Sequence, residues 1–274
     1  MLGHEYYHAT LRRYVILFGT LFNDVVVNRR DSSGNVVQTI QVPLTYAPKE
    51  KMTARLEGNL NLDNQEAMLL PRISFEMTSM NYDGERKLNT LNRYTAQDQN
   101  DPARKLSAFN PVPYNINFEL NVYVKYAEDA TAILEQILPF FTPEWTSTIE
   151  LIPEMAIKMD IPVVLQGLSS QDTYEGDFDT RRALIWNLQF VMKGYLFGPV
   201  TKSKIIKTSN VSIHSTSNTL SVTPAVGIIQ TPGLTSNGQP TSNASISIST
   251  SSISSNDNYG VITNFEDYFN GETN

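Results

Sequence analysis

Residues 109–145 read FNPVPYNINFELNVYVKYAEDATAILEQILPFFTPEW, and this stretch decides the expected fold. Its first part alternates apolar and polar residues, which is typical of a half-buried antiparallel strand. Its second part places apolar residues at helical spacing, with Glu128 and Asp129 in the first turn, where they complement the helix dipole. Pro139 and Pro143 limit how far this helix runs. The apolar strand face holds Ile116, Phe118, Leu120, Val122 and Val124, the polar strand face holds Asn115, Asn117, Glu119, Asn121 and Lys125, and the helix face holds Ala130, Ile133, Leu134, Ile137, Leu138 and Phe141. The stretch predicts a packed structural module without reactive side chains.

The elements on either side of this stretch favour an α+β fold. An N-terminal helix buries one apolar face, and a turn at residues 31–35 joins two strands, residues 22–30 and 36–44, into a hairpin. The pattern then predicts a short helix at residues 48–56, strands at 73–82, 161–168 and 184–196, and a loop at 100–110. The N-terminal helix face holds Leu11, Tyr14, Val15, Phe18 and Leu21. Hairpins with added helices, rather than regular strand–helix repeats, predict a mostly antiparallel sheet packed with helices.

The composition changes near residue 200 and suggests two parts. Residues 1–200 carry clear strand and helix periods, whereas Ser, Thr and Asn dominate residues 201–274. The sequence therefore predicts an α+β domain at 1–200 and a low-complexity polar extension or arm at 201–274. This segment is either a solvated tail or an arm that adds strands to a neighbouring subunit. The arm interpretation rests on the alternating Ser245–Ser249 and on an aromatic tip, Phe265, Tyr268 and Phe269.

Charge and composition exclude several classes of protein. The chain has 274 residues, a formal net charge of −7 and no cysteine. The acidity argues against a protein that grips nucleic acid by neutralising phosphates, and the lack of cysteine excludes disulfides and fits a reducing cytoplasm. The sequence contains no run of eighteen apolar residues, so it predicts no membrane helix. The N-terminal residues lack the apolar stretch of a signal peptide, so we do not expect secretion by that route.

The sequence offers little catalytic chemistry. His4 and His8, with Glu5 between them, stand at helical spacing but lack a third metal ligand, and no phosphate-binding glycine pattern or nucleophile elbow occurs. The acids Asp172, Glu175, Asp177 and Asp179 crowd one loop without the glycine position of a calcium loop. We therefore predict no enzyme activity, no cofactor and no metal. A soluble enzyme with a carboxylate pair is the competing class.

Two arginine pairs are candidate interface residues. Arg12 and Arg13 lie in the N-terminal helix, and Arg181 and Arg182 precede the last strand of the body. The planar guanidinium suits carboxylates on a partner surface. The alternative for either pair is an ordinary surface salt bridge within the domain.

The order of several short motifs resembles one family, the tail sheath stabiliser and completion proteins of T4-type contractile-tailed bacteriophages. The resemblance covers about residues 1–200, and its best part is EQILP at 135–139, followed by Phe141 and Pro143. The motifs before it are LRRY at 11–14 with Gly19 and Leu21–Phe22, PLTYA at 43–47 with Lys49–Glu50, LPRI at 70–73, Asn110–Pro111 with Pro113, Glu119–Leu120, and Tyr126 with Asp129. Those after it are Arg181–Arg182, Trp186, Leu188, Phe190, Gly194 and Pro199–Val200. The polar segment after residue 200 lies outside the resemblance.

The resemblance implies a structural virion protein that works by binding. Members of this family form a hexameric ring at the head-proximal end of the tail, cap the tube through its terminator, meet the last sheath ring and present a surface to the neck. It implies the same partners here, location in the virion tail after assembly in the host cytoplasm, and a channel through which DNA passes without specific binding. The alternative within virions is another neck or tube-terminator ring.

Overall fold

The computed structural model describes residues 5–57, 70–173, 183–214 and 226–267. Within these ranges the helices are α1 (Thr10–Leu21), α2 (Lys49–Glu57) and α3 (Ala127–Ile137). The strands are β1 (Val26–Arg30), β2 (Val36–Gln41), β3 (Leu44–Tyr46), β4 (Arg72–Tyr82), β5 (Arg93–Gln97), β6 (Arg104–Phe109), β7 (Val112–Val124), β8 (Glu144–Ile152), β9 (Ile157–Thr173), β10 (Ala183–Leu196), β11 (Thr201–Lys204), β12 (Ser209–Ile213), β13 (Val226–Gly233) and β14 (Gly260–Asp267).

The chain divides into two compact units. The first holds Met1–Thr90 and Asn110–Gly198, and the second holds Leu91–Phe109 and Pro199–Asn274. The second unit thus takes a segment from before the strand β7 as well as the polar C-terminal segment. Each compact unit is made of two separate chain segments, so a single boundary does not divide them. The domain boundary near residue 200 that composition suggests stays a prediction.

The first unit is built on a six-stranded sheet in the order β3-β4-β7-β10-β9-β8. The strands pair antiparallel, except that β3 runs parallel to β4. The central strands β7 and β10 place Phe118 opposite Phe190 and Leu120 opposite Leu188. Because side chains alternate along a strand, these apolar residues share one face of the sheet, as the sequence predicts.

The helix α1 covers this apolar face through a cluster of aromatic rings. Phe18 is fully buried, and its ring stacks on Phe118 with 4.4 Å between centroids. Phe22, Phe75 and Phe190 lie within 5.5 Å of the same ring. Burial of such large apolar side chains dominates the energetics of a core. The aromatic cluster therefore fixes α1 on the sheet.

The helix α3 buries its apolar stripe and holds the β1–β2 hairpin. Ala130, Ile133, Leu134 and Ile137 are all buried. The Gln136 side-chain amide donates to the carbonyl of Val26 at 2.7 Å and accepts from its backbone N–H at 3.3 Å. Arg29 of β1 forms an ion pair with Asp129 at 2.7 Å. These contacts give hydrogen-bond partners to the backbone of Val26 on the free edge of β1, and they attach the hairpin to the body.

The opposite face of the sheet is only partly covered. Near one end of β7, Met52 of α2 packs with Ala47, Tyr123 and Ile185 in a small buried cluster. Further along this face the side chains are mainly polar, as the Asn and Glu positions of β7 indicate. The first unit therefore has one closed apolar side and one largely polar side.

The second unit contains two three-stranded sheets, in the orders β11-β6-β5 and β12-β13-β14. Leu234, Ile253 and Ile262 are buried in it, and so are Leu106 and Ala108 of β6. Gly233 of β13 and Gly260 of β14 stand opposite each other, and the backbone of Thr241 lies directly against both. Thr241 donates its N–H to the carbonyl of Gly233 at 3.1 Å. The absent side chains let a loop backbone approach the sheet closely.

The structure confirms the α+β class in its main features, corrects two local predictions and adds a strand that was not predicted. Residues 100–110 are not all loop, because 104–109 form β6, whose backbone hydrogen bonds come from β5 and β11. No strand was predicted at β8 (Glu144–Ile152), which pairs with β9. Within the chain the Ser245–Ser249 alternation does not form a strand, since Ala244–Ile246 form a 3-10 turn in which Asn243 accepts from the N–H of Ser245. Residues 201–214 and 226–267 include β11–β14, and their role as an arm stays a prediction.

Tyr14 provides a test of the contact between α1 and β10. Its hydroxyl donates to the carbonyl of Tyr195 at 2.8 Å and accepts from the Tyr195 N–H at 2.9 Å. Burial raises the Tyr14 pKa to about 12, so the folded protein holds this proton more tightly than the unfolded chain. The resulting stability is complete below pH 10 and is lost as the pH rises toward 12.

We therefore expect Tyr14→Phe to cost about 1–3 kcal/mol near neutral pH, because the Tyr195 backbone groups lose their partner. We also expect the unfolding free energy of the variant to fall less steeply above pH 10 than that of the native chain, because the titrating hydroxyl is gone. Urea unfolding over that pH range measures both effects. Tyr7→Phe is the control, since Tyr7 is 78% exposed. An unchanged pH slope in Tyr14→Phe would contradict the assignment.

Candidate protein interface

Phe265, a residue of the predicted aromatic tip, lies in an exposed apolar row. The register places Val211 of β12 opposite Ile228 of β13, and Ile228 opposite Phe265 of β14. Directly opposed residues of antiparallel strands share a face. Phe265 is 73% exposed and Val211 is 49% exposed. This row, Val211–Ile228–Phe265, is an apolar strip on the outer face of the small sheet.

The same face carries further apolar residues and little charge. Ile213 pairs with Val226, and Pro232 pairs with Val261, on the same side as the row. Ile213 and Val261 are each at least half exposed. The opposite side of the sheet is covered by its own unit, where Ile262 is buried and Thr241 lies against the strands. An exposed apolar face backed by a filled one is typical of a surface that binds another protein.

The two N-terminal arginines lie in different environments. Arg13 donates one Nη1 group to the carbonyls of Glu150 at 2.6 Å and Leu151 at 3.2 Å, at the end of the edge strand β8. Its guanidinium therefore serves a contact within the chain. Arg12 is exposed, and among the described residues it forms no ion pair. Arg12 is thus the member of the pair that remains open to a partner.

The other sequence candidates lie outside the described residues. Arg181 and Arg182 fall in the gap before β10, and Tyr268 and Phe269 follow β14. His4 also lies outside, whereas the His8 ring contacts the carbonyl of Gly198 at 2.9 Å. Most of the acidic loop at 172–179 is likewise outside the described ranges. The interface roles of Arg181, Arg182, Tyr268 and Phe269 stay predictions.

The polar side of the large sheet carries a site that the sequence patterns did not single out. Glu76 of β4 lies directly opposite Glu119 of β7. The Nδ2 group of Asn187 donates to Glu119 and, at 3.2 Å, to Asn121. Burial raises the pKa of the nearby Tyr123 hydroxyl, and the carboxylates of Glu119 and Glu76 add to that shift. The alternation of β7 indicated a solvated polar face, but Asn121 is fully buried and Asn187 is 8% exposed.

Glu119 also borders a shallow depression of about 240 Å³ on this face. Its polar lining is Thr78, Asn117, Glu119, Gln166 and Gln189. Irregularities in strand pairing flank it, at Thr78 in β4 and at Gln166 in β9. Bulges of this kind bend strands and re-aim side chains. The depression is therefore a hydrogen-bonding surface with one carboxylate at its border.

No group of three or more metal-ligating side chains meets within the part of the chain that the structure describes. Over the same residues, no helix is long and apolar enough to cross a membrane. The prominent surfaces are instead an apolar strip, a polar depression bordered by Glu119 and an exposed arginine. Such features are typical of a protein that acts by binding other proteins.

Comparison with known proteins agrees with this class of binding protein. Residues 5–267 match the family described as T4-like virus Myoviridae tail sheath stabiliser. The tail completion protein gp15 of Enterobacteria phage T4 is 31% identical over 228 residues, which cover 80% of this chain and 82% of that protein. The family match continues well past residue 200, so the polar C-terminal segment belongs to it, contrary to the extent of the sequence resemblance.

The chain belongs to the T4-like tail sheath stabiliser family. It is a structural component of the contractile tail of the virion, with a role in tail completion, and it is not an enzyme. The family resemblance, the structural function and the virion location predicted from sequence are confirmed. The family places the chain among proteins associated with the sheath and tube of the tail.

Proposed function

We propose that six copies of this chain form a closed ring at the head-proximal end of the contractile tail. The ring caps the tube through its terminator, contacts the last ring of sheath subunits and provides the joint to the neck. The observation that carries this proposal is the family match over residues 5–267, which includes both compact units. A ring of identical copies needs two different surfaces on each copy, and the described residues offer several candidates.

DNA passes through the channel of the proposed ring without specific binding. The formal net charge of −7 supports this, because an acidic protein does not attract the phosphate backbone.

The proposed partner contacts use the C-terminal segment as an arm. In the assembled tail, the outer face of β12–β14 packs on an uncharged apolar surface of a neighbouring tail protein. The exposed row Val211–Ile228–Phe265 supports this, because that face offers apolar contact with little charge. Tyr268 and Phe269 extend the same contact, and Arg12, Arg181 and Arg182 contribute to further interfaces.

The oligomeric state of the purified full chain tests the ring. Mass photometry and negative-stain electron microscopy are expected to give a closed ring of six copies with a central channel. The ring should add to tails that lack their completion protein, and those tails should then join heads. A protein that remains monomeric at every concentration, and also fails to join tails to heads, would overturn the proposal.

Phe265→Ser is expected to weaken the contact made by the C-terminal segment. The side chain is 73% exposed, so its loss should leave the unfolding midpoint within about 1 °C while reducing tail joining by about tenfold or more. Infectivity reconstitution with purified heads and tails measures the joining. Asn264→Ser is the control, because Asn264 is exposed on the same strand with its side chain on the other face. Equal joining by both variants and the native chain would remove Phe265 from the interface.

A further inference from the structure

The large sheet of the first unit has an open strand edge on each side. On one side β3 pairs only with residues 73–75 of β4, and the N–H of Ala47 donates to the carbonyl of Phe75 where β3 ends. Among the described residues, the backbone of residues 77–82 therefore pairs with β7 alone, and residues 78–82 are exposed. On the other side β8 is the last strand of the sheet and pairs with β9.

Arg13 marks where the open edge of β8 ends. Its guanidinium donates to the carbonyls of Glu150 and Leu151, so the chain itself already uses the end of this strand. Over residues 144–149 the structure describes no backbone hydrogen bond other than those to β9. The open stretch of β8 thus has the same length as the open stretch of β4, residues 77–82.

Both open stretches lack the residues that normally keep a strand edge from pairing. Residues 77–82 read MTSMNY and residues 144–149 read EWTSTI, with Glu144 as their one charged residue and no proline. Natural edge strands avoid pairing with other chains through charged side chains and prolines. The edge strands β11 and β14 of the second unit follow that rule, since β11 reads TKSK and β14 ends in two acids. The edges of the large sheet are therefore the better templates for another strand.

The two open edges present matching faces. Trp145 of β8 lies opposite Val163 of β9, and Val163 lies opposite Met192 of β10. Met192 and Met80 both lie opposite Ile116 of β7. Trp145 and Met80 consequently share the apolar face that α1 covers. A sheet that continued from one edge to the other would place apolar side chains beside apolar ones, and polar side chains beside polar ones.

The strand directions also match. Each strand from β4 through β7, β10 and β9 to β8 is antiparallel to the one before it, so β4 and β8 run in the same direction. In a closed ring, one surface of each copy meets a different surface of the next copy. Rotation about the ring axis preserves strand direction, so the two edges would meet as a parallel pair. The edge of β4 already accepts parallel pairing, from β3.

We propose that residues 144–149 of β8 pair in parallel with residues 77–82 of β4 in the neighbouring copy of this chain. The incoming strand lies beyond the point where β3 ends, and the large sheets of all copies join into one continuous sheet. Alignment of the two open stretches places Ser147 beside Met80 and Ile149 beside Tyr82. This inference rests on the ring of the proposed function and names one of its subunit contacts.

Engineered disulfides test the pairing directly, because the native chain has no cysteine. Neighbouring strands lie about 4.8 Å apart, within the span of a disulfide, whereas four such spacings separate β4 from β8 along the sheet of one copy. Oxidised rings of the Met80→Cys, Ser147→Cys variant are expected to give covalent multimers of up to six copies on a non-reducing gel. Tyr82→Cys with Ser147→Cys tests a register shifted by two residues. Val37→Cys with Ser147→Cys is the control, since Val37 is 71% exposed on β2, and it should stay monomeric on the same gel.

A charge on the open edge provides a second test. Met80 is 39% exposed, so Met80→Lys should keep the unfolding transition of the native chain but weaken ring assembly by about tenfold or more in sedimentation velocity. Val37→Lys, which exchanges an exposed apolar residue of β2 for the same cation, should assemble like the native chain. If Met80→Lys does not fold, Tyr82→Lys replaces it, because Tyr82 is 52% exposed on the same strand.

The outcomes separate this contact from the ring itself. A native chain that forms no ring overturns the proposed function and this inference with it. Native rings in which Ser147→Cys links to neither Met80→Cys nor Tyr82→Cys overturn only the strand pairing. Equal linking of the Val37→Cys control, or normal assembly of the folded lysine variant of β4, overturns the pairing as well.

Discussion

Phe18→Ala is expected to lower the free energy of unfolding by about 3–5 kcal/mol. The Phe18 ring is fully buried, and it lies within 5.5 Å of the rings of Phe22, Phe75, Phe118 and Phe190. Its removal leaves a cavity that surrounding side chains from α1, β4, β7 and β10 fill only partly. Chemical denaturation of the purified chain, followed by tryptophan fluorescence, measures the loss.

Ile16→Ala is the matched control for this prediction. Ile16 lies on the same helix but is 54% exposed, so truncation should cost no more than about 0.5 kcal/mol. A loss for Phe18→Ala as small as that of the control would show that α1 does not depend on the aromatic cluster.

Gly233→Ala is expected to have the largest effect in the second unit. A Cβ atom at this position meets the backbone carbonyl of Thr241 and lies 2.8 Å from the Ile262 side chain. Backbone cannot rotate away as a flexible side chain does, so we expect a loss of about 3 kcal/mol, at the upper end of the range for overpacking. Increased hydrogen exchange in β13 and β14 would locate the damage in this sheet.

Gly198→Ala provides the control, because nothing lies within 4 Å of the Cβ atom built there. We expect this variant to keep the stability and exchange rates of the native chain. If hydrogen exchange in β13 and β14 of Gly233→Ala is as slow as in the native chain, the close approach of Thr241 is contradicted.

Elements stabilised by local periodicity were predicted from sequence with nearly their observed bounds. The strand expected at residues 115–125 is β7 (Val112–Val124), and the helix that follows is α3 (Ala127–Ile137). The hairpin around residues 31–35 and the short helix after Pro48 are also present. In these segments the choice between helix and strand depends on neighbours a few residues apart, so the pattern contains the information.

Two segments were missed or misassigned because contacts that leave no periodic pattern decide their structure. The strand β6 receives its hydrogen bonds from β5 and from β11, which lies far away along the chain. The Ser245–Ser249 alternation suggested a strand, but the Asn243 side chain stabilises a 3-10 turn there. In both cases a contact that no local period records decides the backbone conformation.

The candidate interface likewise contains residues that the sequence singled out and residues that only the structure revealed. Sequence singled out Arg12, Arg13 and Phe265 by residue type, and the structure shows that Arg13 is used within the chain whereas Arg12 and Phe265 are exposed. The opposition of Glu76 and Glu119 was not predicted, because the two residues belong to separate strands that meet only through sheet register.

The sequence by itself determined the α+β class, the central strand and helix, and membership of a family of structural tail proteins. It did so because apolar periodicity and motif order are properties of the chain as it is written. Tertiary structure alone decided that residues 91–109 join the C-terminal segment in one compact unit, and that Glu76, Glu119 and Asn187 form one site. The physical reason is that strand pairing and side-chain contact depend on which distant segments meet, and that is settled by the packing of the whole core.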